Sequence, residues 1–300
     1  MIIAITGATG MIGRALAASL TNDGHTVRRI TRTPRAPGDV AWHPGTGLLD
    51  PHALDGVDAV VNLAGESIAD RWNEGRKAGI LRSRELGTRL VAGTMARHGP
   101  PPRVLVSASA IGWYGDRGDE LLDEASAPGT GFLADVCRVW EAETAAAEAS
   151  GVRVVRTRFG LILTPHAGLL ERLLVPFRLG AGGRIGSGRA WMSVVALDDV
   201  VRALRFALVT DTLRGPVNVV GPEPVTNADF SHTLGHVIHR PAVAVVPEFA
   251  VKLLLGAEQA EEMALASQRV VPRALLDAGF QFRHPTAEDA LRFELEEPRA

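Results

Sequence analysis

Short, unbroken apolar runs alternate along the first 160 residues with stretches in which apolar residues recur every three or four positions. The runs, Ile2–Thr6, Thr26–Thr31 and residues 59–63, 104–107 and 152–157, predict strands, and their continuous apolarity predicts burial on both faces. Met11–Asn22 and residues 75–97 and 130–149 carry the helical spacing between them. Strand and helix in regular succession specify an α/β fold built on a Rossmann-type, doubly wound parallel sheet. Gly and Pro gather at residues 33–47 and 180–188, which predicts two long loops.

After about Phe159 the pattern changes to helical segments near 169–179, 197–208, 228–239 and 247–254, with short strands at 217–220 and 243–246. Helical stretches at 272–278 and 286–295 close the chain. Two units are therefore expected: residues 1–160 as a nucleotide-binding domain, with later segments free to return to its sheet, and residues 161–300 as a smaller α/β lobe. Such a lobe, packed on the carboxyl edge of the sheet, covers the crevice where ligands bind in open α/β folds.

Composition narrows the partners. A formal charge of −2 gives no pull toward nucleic acid or an anionic membrane, and no run of 18 apolar residues spans a bilayer, so the expected partner is a small molecule. The single cysteine, Cys137, excludes an intrachain disulfide, and the start of the chain lacks a signal-peptide pattern, so a cytoplasmic location is expected. The pattern carries no signal for an oligomeric state.

The strongest chemical motif is Gly7-Ala-Thr9-Gly10-Met11-Ile12-Gly13, between the first strand and first helix. Gly7 permits the tight turn, Gly10 lets a pyrophosphate approach the backbone, and Gly13 lets helix pack on strand, while the helix N-terminus faces the phosphates. A nicotinamide dinucleotide is the expected ligand. An acidic residue at the end of the second strand would hold the ribose hydroxyls of NAD(H), but the chain reads Thr31-Arg32-Thr33-Pro34-Arg35 there. Arg32, with Arg35, suits a 2′-phosphate, so NADP(H) is preferred over NAD(H). The alternative is that both arginines form a solvated edge.

Further motifs follow the later strands: Val60-Val-Asn-Leu-Ala-Gly65-Glu66 and Ser107-Ala-Ser109-Ala-Ile-Gly-Trp-Tyr114-Gly. With the glycine loop they resemble the extended short-chain dehydrogenases/reductases, which include the sugar-nucleotide epimerases. Asn62-Leu-Ala-Gly-Glu-Ser-Ile, Arg71-Trp72, Ser83-Arg84, Trp140-Glu141, the stretch from Gly180 to Gly188, Trp191-Met-Ser193 and the tail from Arg269 to Gly279 are similar to the YfcH-type epimerase-like proteins, with their C-terminal domain of unknown function. This resemblance covers nearly the whole chain. It implies that Thr9, Met11 and Ile12 contact pyrophosphate, that Leu63, Ala64 and Gly65 line the path from adenosine to nicotinamide, and that Phe159 lies near the nicotinamide. Arg84 falls where extended relatives usually place an asparagine. Apart from the resemblance, Glu66 with Lys77 either orients a polar ligand or takes part in exposed ion pairs.

Catalysis departs from that pattern. Relatives use a serine with Tyr-x-x-x-Lys, whose lysine helps the tyrosine act as an acid or base near neutral pH. Tyr114 is the only tyrosine here and Lys77 and Lys252 the only lysines, so no such motif exists, and alignment puts Leu133 and Cys137 in its place. Ser109 stands at the serine position. Tyr114 is either a substitute acid, if its loop folds over the site, or a packing residue beside Trp113. Trp72, Trp113, Trp140 and Trp191 are expected near the crevice, and His232, His236 and His239 share a helical face without the acids that would complete a metal site. Two functions fit: an NADP(H)-dependent oxidoreductase or epimerase-like enzyme acting on a small polar substrate, such as a nucleotide sugar, with atypical proton transfer, or a catalytically silent NADP(H)-binding sensor.

Overall fold

A computed structural model of the chain describes residues 1–50, 52–97 and 99–296. Its main sheet has the strands β1 (Ile2–Thr6), β2 (Thr26–Thr31), β3 (Val40–His43), β4 (Leu48–Leu49), β5 (Ala59–Asn62), β6 (Val104–Ala110), β7 (Arg153–Phe159) and β8 (Gly215–Val219). They lie in the order β8-β7-β6-β5-β1-β2-β3-β4, parallel except for the last pair. Strand order reverses at β1, where Thr6 faces Ile30 of β2 on one side and Asn62 of β5 on the other. A doubly wound sheet opens its ligand crevice beyond the carboxyl ends of the strands at that reversal.

Both faces of the sheet are covered, as continuous apolarity requires. Helix α1 (Met11–Asn22) turns Gly13, Leu16 and Leu20 inward and packs with α4 (Leu197–Val209) over Ile3, Ile5, Val104 and Val106. Helix α2 (Glu74–Arg97) buries Val91, Ala92 and Met95 against Ala4, Val60 and Leu105 on the opposite face. Each fully buried Leu, Val or Met here contributes about 1.5–3 kcal/mol. Beyond α3 (Phe132–Ala142), a smaller lobe packs the helices Gly168–Arg178, Asn227–Val237 and Ala287–Glu296 around the strand pair Leu161–Leu163 and Val194–Ala196.

Several elements differ from the pattern-based expectation. The segment 130–149 is two helices, α3, which starts only after the N-cap Gly131 at φ 106°, and Ala145–Ala149, with a turn at Glu143 and Thr144 between them where the Thr144 hydroxyl bonds back to the Glu141 carbonyl (2.7 Å). The loop at 33–47 contains β3 and, with Leu48–Leu49, an antiparallel hairpin that buries Trp42. The loop at 180–188 contains the strand Gly183–Ile185, paired with Ala244–Val246. Both α4 and β8 belong to the Rossmann layer although they lie after residue 160. Strand β6 runs three residues beyond 107, where small Ser and Ala side chains hid its continuation.

Candidate functional site

The glycine loop is held by its contacts with the next strand end. Gly7 adopts φ 67°, and a Cβ there would stand 2.8 Å from the carbonyl carbon and oxygen of Leu63. At Gly13 a Cβ would collide with the Gly7 carbonyl oxygen, so this glycine permits α1 to seat on the loop. Gly10 differs: a Cβ would meet only the Gly7 oxygen, at 3.3 Å, so its lack of a side chain keeps the mouth of the loop clear. Helix α1 has no acidic residue in its first turn and no side-chain cap, leaving amide donors and a positive dipole end for an anion.

A buried polar ladder fixes the wall opposite. The Thr6 hydroxyl donates to Asn62 Oδ1 (2.7 Å) and accepts from the amides of Leu63 (3.1 Å) and Ala64 (3.3 Å). Asn62 Nδ2 donates to Thr88 Oγ1 (2.9 Å) and Ser107 Oγ (3.3 Å). These bonds span β1, β5, β6 and α2. Satisfied buried networks of this kind hold a single geometry.

The resulting cleft, about 710 Å³, is lined by Gly7, Thr9 and Gly10, by Arg32 at the end of β2, by Trp42, Pro44 and Gly45 of the hairpin, and by Leu63, Ala64, Gly65 and Glu66. Arg32 is exposed on its wall and makes no hydrogen bond or ion pair among the described residues. The nearby carboxylate Asp39 is committed elsewhere. It accepts from the Arg35 amide (2.9 Å), the Ala36 amide (3.0 Å) and Arg29 Nε (2.8 Å), and the Arg35 amide and Arg29 guanidinium hold it below the usual carboxylate range despite the opposing effect of burial. The Arg35 side chain is exposed and lies outside the lining, while Met11 and Ile12 pack partly into the core beside buried Gly13.

Over β5, β6 and β7 the crevice has a different character. Arg84 donates from Nη1 to the carbonyls of Glu66 (3.0 Å) and Ile80 (3.1 Å), and its guanidinium lies 4.8 Å from the Trp140 ring centroid. Burial lowers its pKa. Phe159 ends β7, buried opposite Ala110. Leu133 abuts Gly112, and Cys137 Sγ points to the Ala110 carbonyl (3.6 Å). Burial pushes that thiol up to about 11.

Ser109 and Tyr114 are joined by one buried chain of bonds. Ser109 Oγ donates to Glu141 Oε1 (2.7 Å), and Arg158 clasps Glu141 through Nε (2.8 Å) and Nη2 (2.9 Å). Arg158 Nη1 donates to the Tyr114 hydroxyl (3.0 Å), which donates to Asn218 Oδ1 (2.8 Å). Burial alone would lower the Arg158 pKa, but the Glu141 bonds and charge outweigh it. Ser109 is 1% exposed and Tyr114 0%. Burial pushes the Tyr114 phenol up to about 12 against the opposing pull of Arg158. Tyr114 is thus a core residue beside Trp113, and its loop does not present it to the crevice as an acid.

Glu141 was singled out in the sequence only as part of the Trp140-Glu141 motif, and its buried pairing with Arg158 escaped sequence reasoning, although an arginine inside an apolar strand such as Val154-Val155-Arg156-Thr157-Arg158-Phe159 needs a buried partner. The four tryptophans do not form one aromatic wall. Trp72 meets Phe132 edge-on (5.0 Å), Trp113 and Trp140 stack on Arg158 and Arg84, and Trp191 stacks on Arg269 and donates to Asp119 (2.8 Å). Among the described residues there is no cluster suited to a metal and no helix long and apolar enough to cross a membrane.

This chain matches the NAD dependent epimerase/dehydratase family over residues 3–240 and a domain of unknown function, DUF1731, over 246–294. It belongs to that epimerase family. The family relatives include an epimerase family protein of Mycobacterium bovis, 45% identical over 99% of this chain and 98% of its own length, and the Bacillus subtilis protein YfhF, 36% identical over 97% of each. The human epimerase family protein SDR39U1, solved with NADPH, superposes with a TM-score of 0.91 at 33% identity, covering 99% of this chain and all of that one. The likeness noted to YfcH-type epimerase-like proteins, with their C-terminal domain, therefore holds for fold and family alike.

Proposed function

We propose that this epimerase-family chain binds NADP(H) in the 710 Å³ cleft and uses it for oxidoreductase or epimerase-type chemistry on a small polar molecule held beneath the second lobe. Arg32 carries the cofactor choice: it lines the cleft at the end of β2 without a protein partner among the described residues, and Asp39, the carboxylate of the loop that follows, is held by Arg29 and two amides. A free guanidinium without a competing acid selects a 2′-phosphate over ribose hydroxyls. The NADPH in the human relative supports the same choice.

The residues present fit the group. The Gly10 mouth and uncapped α1 receive the pyrophosphate, Leu63 to Gly65 line the central path, and Arg84 and Phe159 flank the far end. The dinucleotide supplies a hydride donor or acceptor when bound. Ser109 and Tyr114 shape the floor through Glu141, Arg158 and Asn218, and the substrate or water supplies any proton that moves. A sensor without turnover is the second reading, favoured by the commitment of both hydroxyls to buried partners.

Thermal shift with NADPH and NADH at equal concentration tests the cofactor, because a ligand stabilises by RT ln(1 + [L]/Kd). NADPH should give the larger shift. Arg32→Ala should weaken NADPH by about 10–100-fold, the worth of a charge-assisted bond of about 1.5–3 kcal/mol, and leave NADH unchanged. Equal shifts in the wild-type chain sink the argument. Turnover of NADPH with pools of carbonyl metabolites and nucleotide sugars then separates the enzyme from the sensor.

A further inference from the structure

Residues 257–268 lead from the helix Glu248–Leu255 to the strand Arg269–Val270 and lie within the region matched to the domain of unknown function. Their polar side chains bond to the stretch after β5, to α2 and to the start of α3. Gln259, 2% exposed, accepts from the Trp72 amide through Oε1 (3.2 Å) and donates through Nε2 to the carbonyls of Ile68 (3.1 Å) and Asp70 (3.2 Å). Glu262 accepts from the amides of Phe132 (2.8 Å) and Leu133 (2.7 Å), and Glu258 pairs with Lys77 at 2.7 Å.

We propose that this C-terminal segment is a strap that positions the nicotinamide half of the cofactor site, with Gln259 and Glu262 as its positioning residues. The proposal rests on the NADP(H) reading above. Gln259 bonds through both ends of its amide to the backbone of the stretch 66–73, which follows β5 and has no regular structure to hold it. Glu262 caps the first turn of α3 from outside, where the N-cap Gly131 offers no side chain, and a carboxylate there satisfies orphan amides and the helix dipole together. Gly131 permits this approach, since a Cβ there would lie 2.8 Å from Glu262 Oε1.

The two anchored segments come after β5 and β6, at the carboxyl edge of the sheet. The edge-on contact of Trp72 with Phe132 ties them to one another, and α3 carries Leu133 and Cys137 against Gly112 and Ala110. The extended short-chain dehydrogenases/reductases that the sequence resembles use a tyrosine and a lysine at those two positions. Leu133 and Cys137 offer no comparable polar grip, so the geometry at that end depends on where the strap sets the walls. Glu262 itself sits in a single π-helical turn, Glu261–Leu265, a distortion frequent at functional sites.

Calorimetric titration of the full chain with NADPH and with 2′,5′-ADP, which lacks the nicotinamide half, tests the strap. Glu262→Ala and Gln259→Ala should each raise the NADPH Kd about tenfold and leave the 2′,5′-ADP Kd within about twofold, a split that general destabilisation does not produce. Glu262→Gln, which keeps one acceptor, should fall between Glu262→Ala and the wild-type chain, and it carries the test with Gln259→Ala if Glu262→Ala does not fold. Variants that bind NADPH as the wild-type chain does, or that lose both ligands equally, overturn the strap alone. A wild-type chain that binds neither ligand overturns the cofactor reading first, and the strap with it.

Discussion

Glu141→Ala would remove the centre of the buried chain and leave Arg158, 2% exposed, without its counter-charge. Glu141 now holds Arg158 by two bonds of 2.8 and 2.9 Å and accepts Ser109 at 2.7 Å. Breaking one partner of a buried ion pair costs about 3–5 kcal/mol, because the remaining charge stays desolvated. At about 2–4 °C per kcal/mol for chains approaching this size, the melting temperature should fall by about 10 °C. Replacing both partners, Glu141→Leu with Arg158→Met, should recover most of that loss, since apolar groups of similar volume carry no desolvation penalty. Ser109→Ala leaves both arginine bonds in place and should cost only about 1–2 kcal/mol. Urea denaturation of the four chains measures the series. A Glu141→Ala loss below about 1 kcal/mol, or a double variant as unstable as the single one, would refute the view that this pair organises the site. Undiminished stability in Ser109→Ala together with abolished turnover would instead return Ser109 to direct chemistry.

Tyr114 is the only tyrosine, so phenolate absorbance reports it alone: the folded chain should show no titration near pH 10 and a rise only toward about 12. Because its folded pKa is raised, the stability it contributes is present below pH 10 and is lost as pH climbs from 10 toward 12, so alkaline unfolding should accompany ionisation; a titration centred at 10 with the fold intact contradicts the buried placement. Cys137, buried with its thiol pushed up to about 11, should resist a disulfide reagent at pH 8 until denaturant is added, and rapid labelling of the folded chain would contradict its position under Ala110.

The parts of this molecule legible in the sequence are those whose physics is local. The apolar run Ile2–Thr6, the glycines at 7, 10 and 13 and the spacing of Leu16 and Leu20 specify strand, turn and helix within twenty residues. Arg32 could be read because it follows β2 directly. The β3–β4 hairpin was missed because its Gly and Pro content reads as loop, although Val40-Ala-Trp-His before Pro-Gly-Thr-Gly already alternates about a turn. The buried chain was missed for another reason: its bonded partners are 17 to 104 residues apart in sequence, and only the packing of β6, β7, β8 and α3 brings them together. Gln259 and its partners, nearly 190 residues apart, carried no sequence signal at all.

Two polar networks divide the carboxyl edge of the sheet between them, and their compositions set limits on the chemistry. Thr6, Asn62, Thr88 and Ser107 are neutral groups that hold backbone in place beside the glycine loop, and such a wall asks nothing of a ligand except shape and hydrogen bonds. Ser109, Glu141, Arg158, Tyr114 and Asn218 include a full ion pair, yet none of the hydroxyls there is left to exchange a proton with a bound molecule. The phenol and the nearby thiol both titrate far above neutrality. A general acid or base works best with a pKa near the operating pH, and neither group meets that condition. Hydride chemistry on this frame therefore favours a substrate whose redox change needs no proton from the protein, or one that brings its own. The glycine loop and its wall keep the form of a dinucleotide site, whereas Leu133 and Cys137 leave the usual tyrosine and lysine relay without a counterpart.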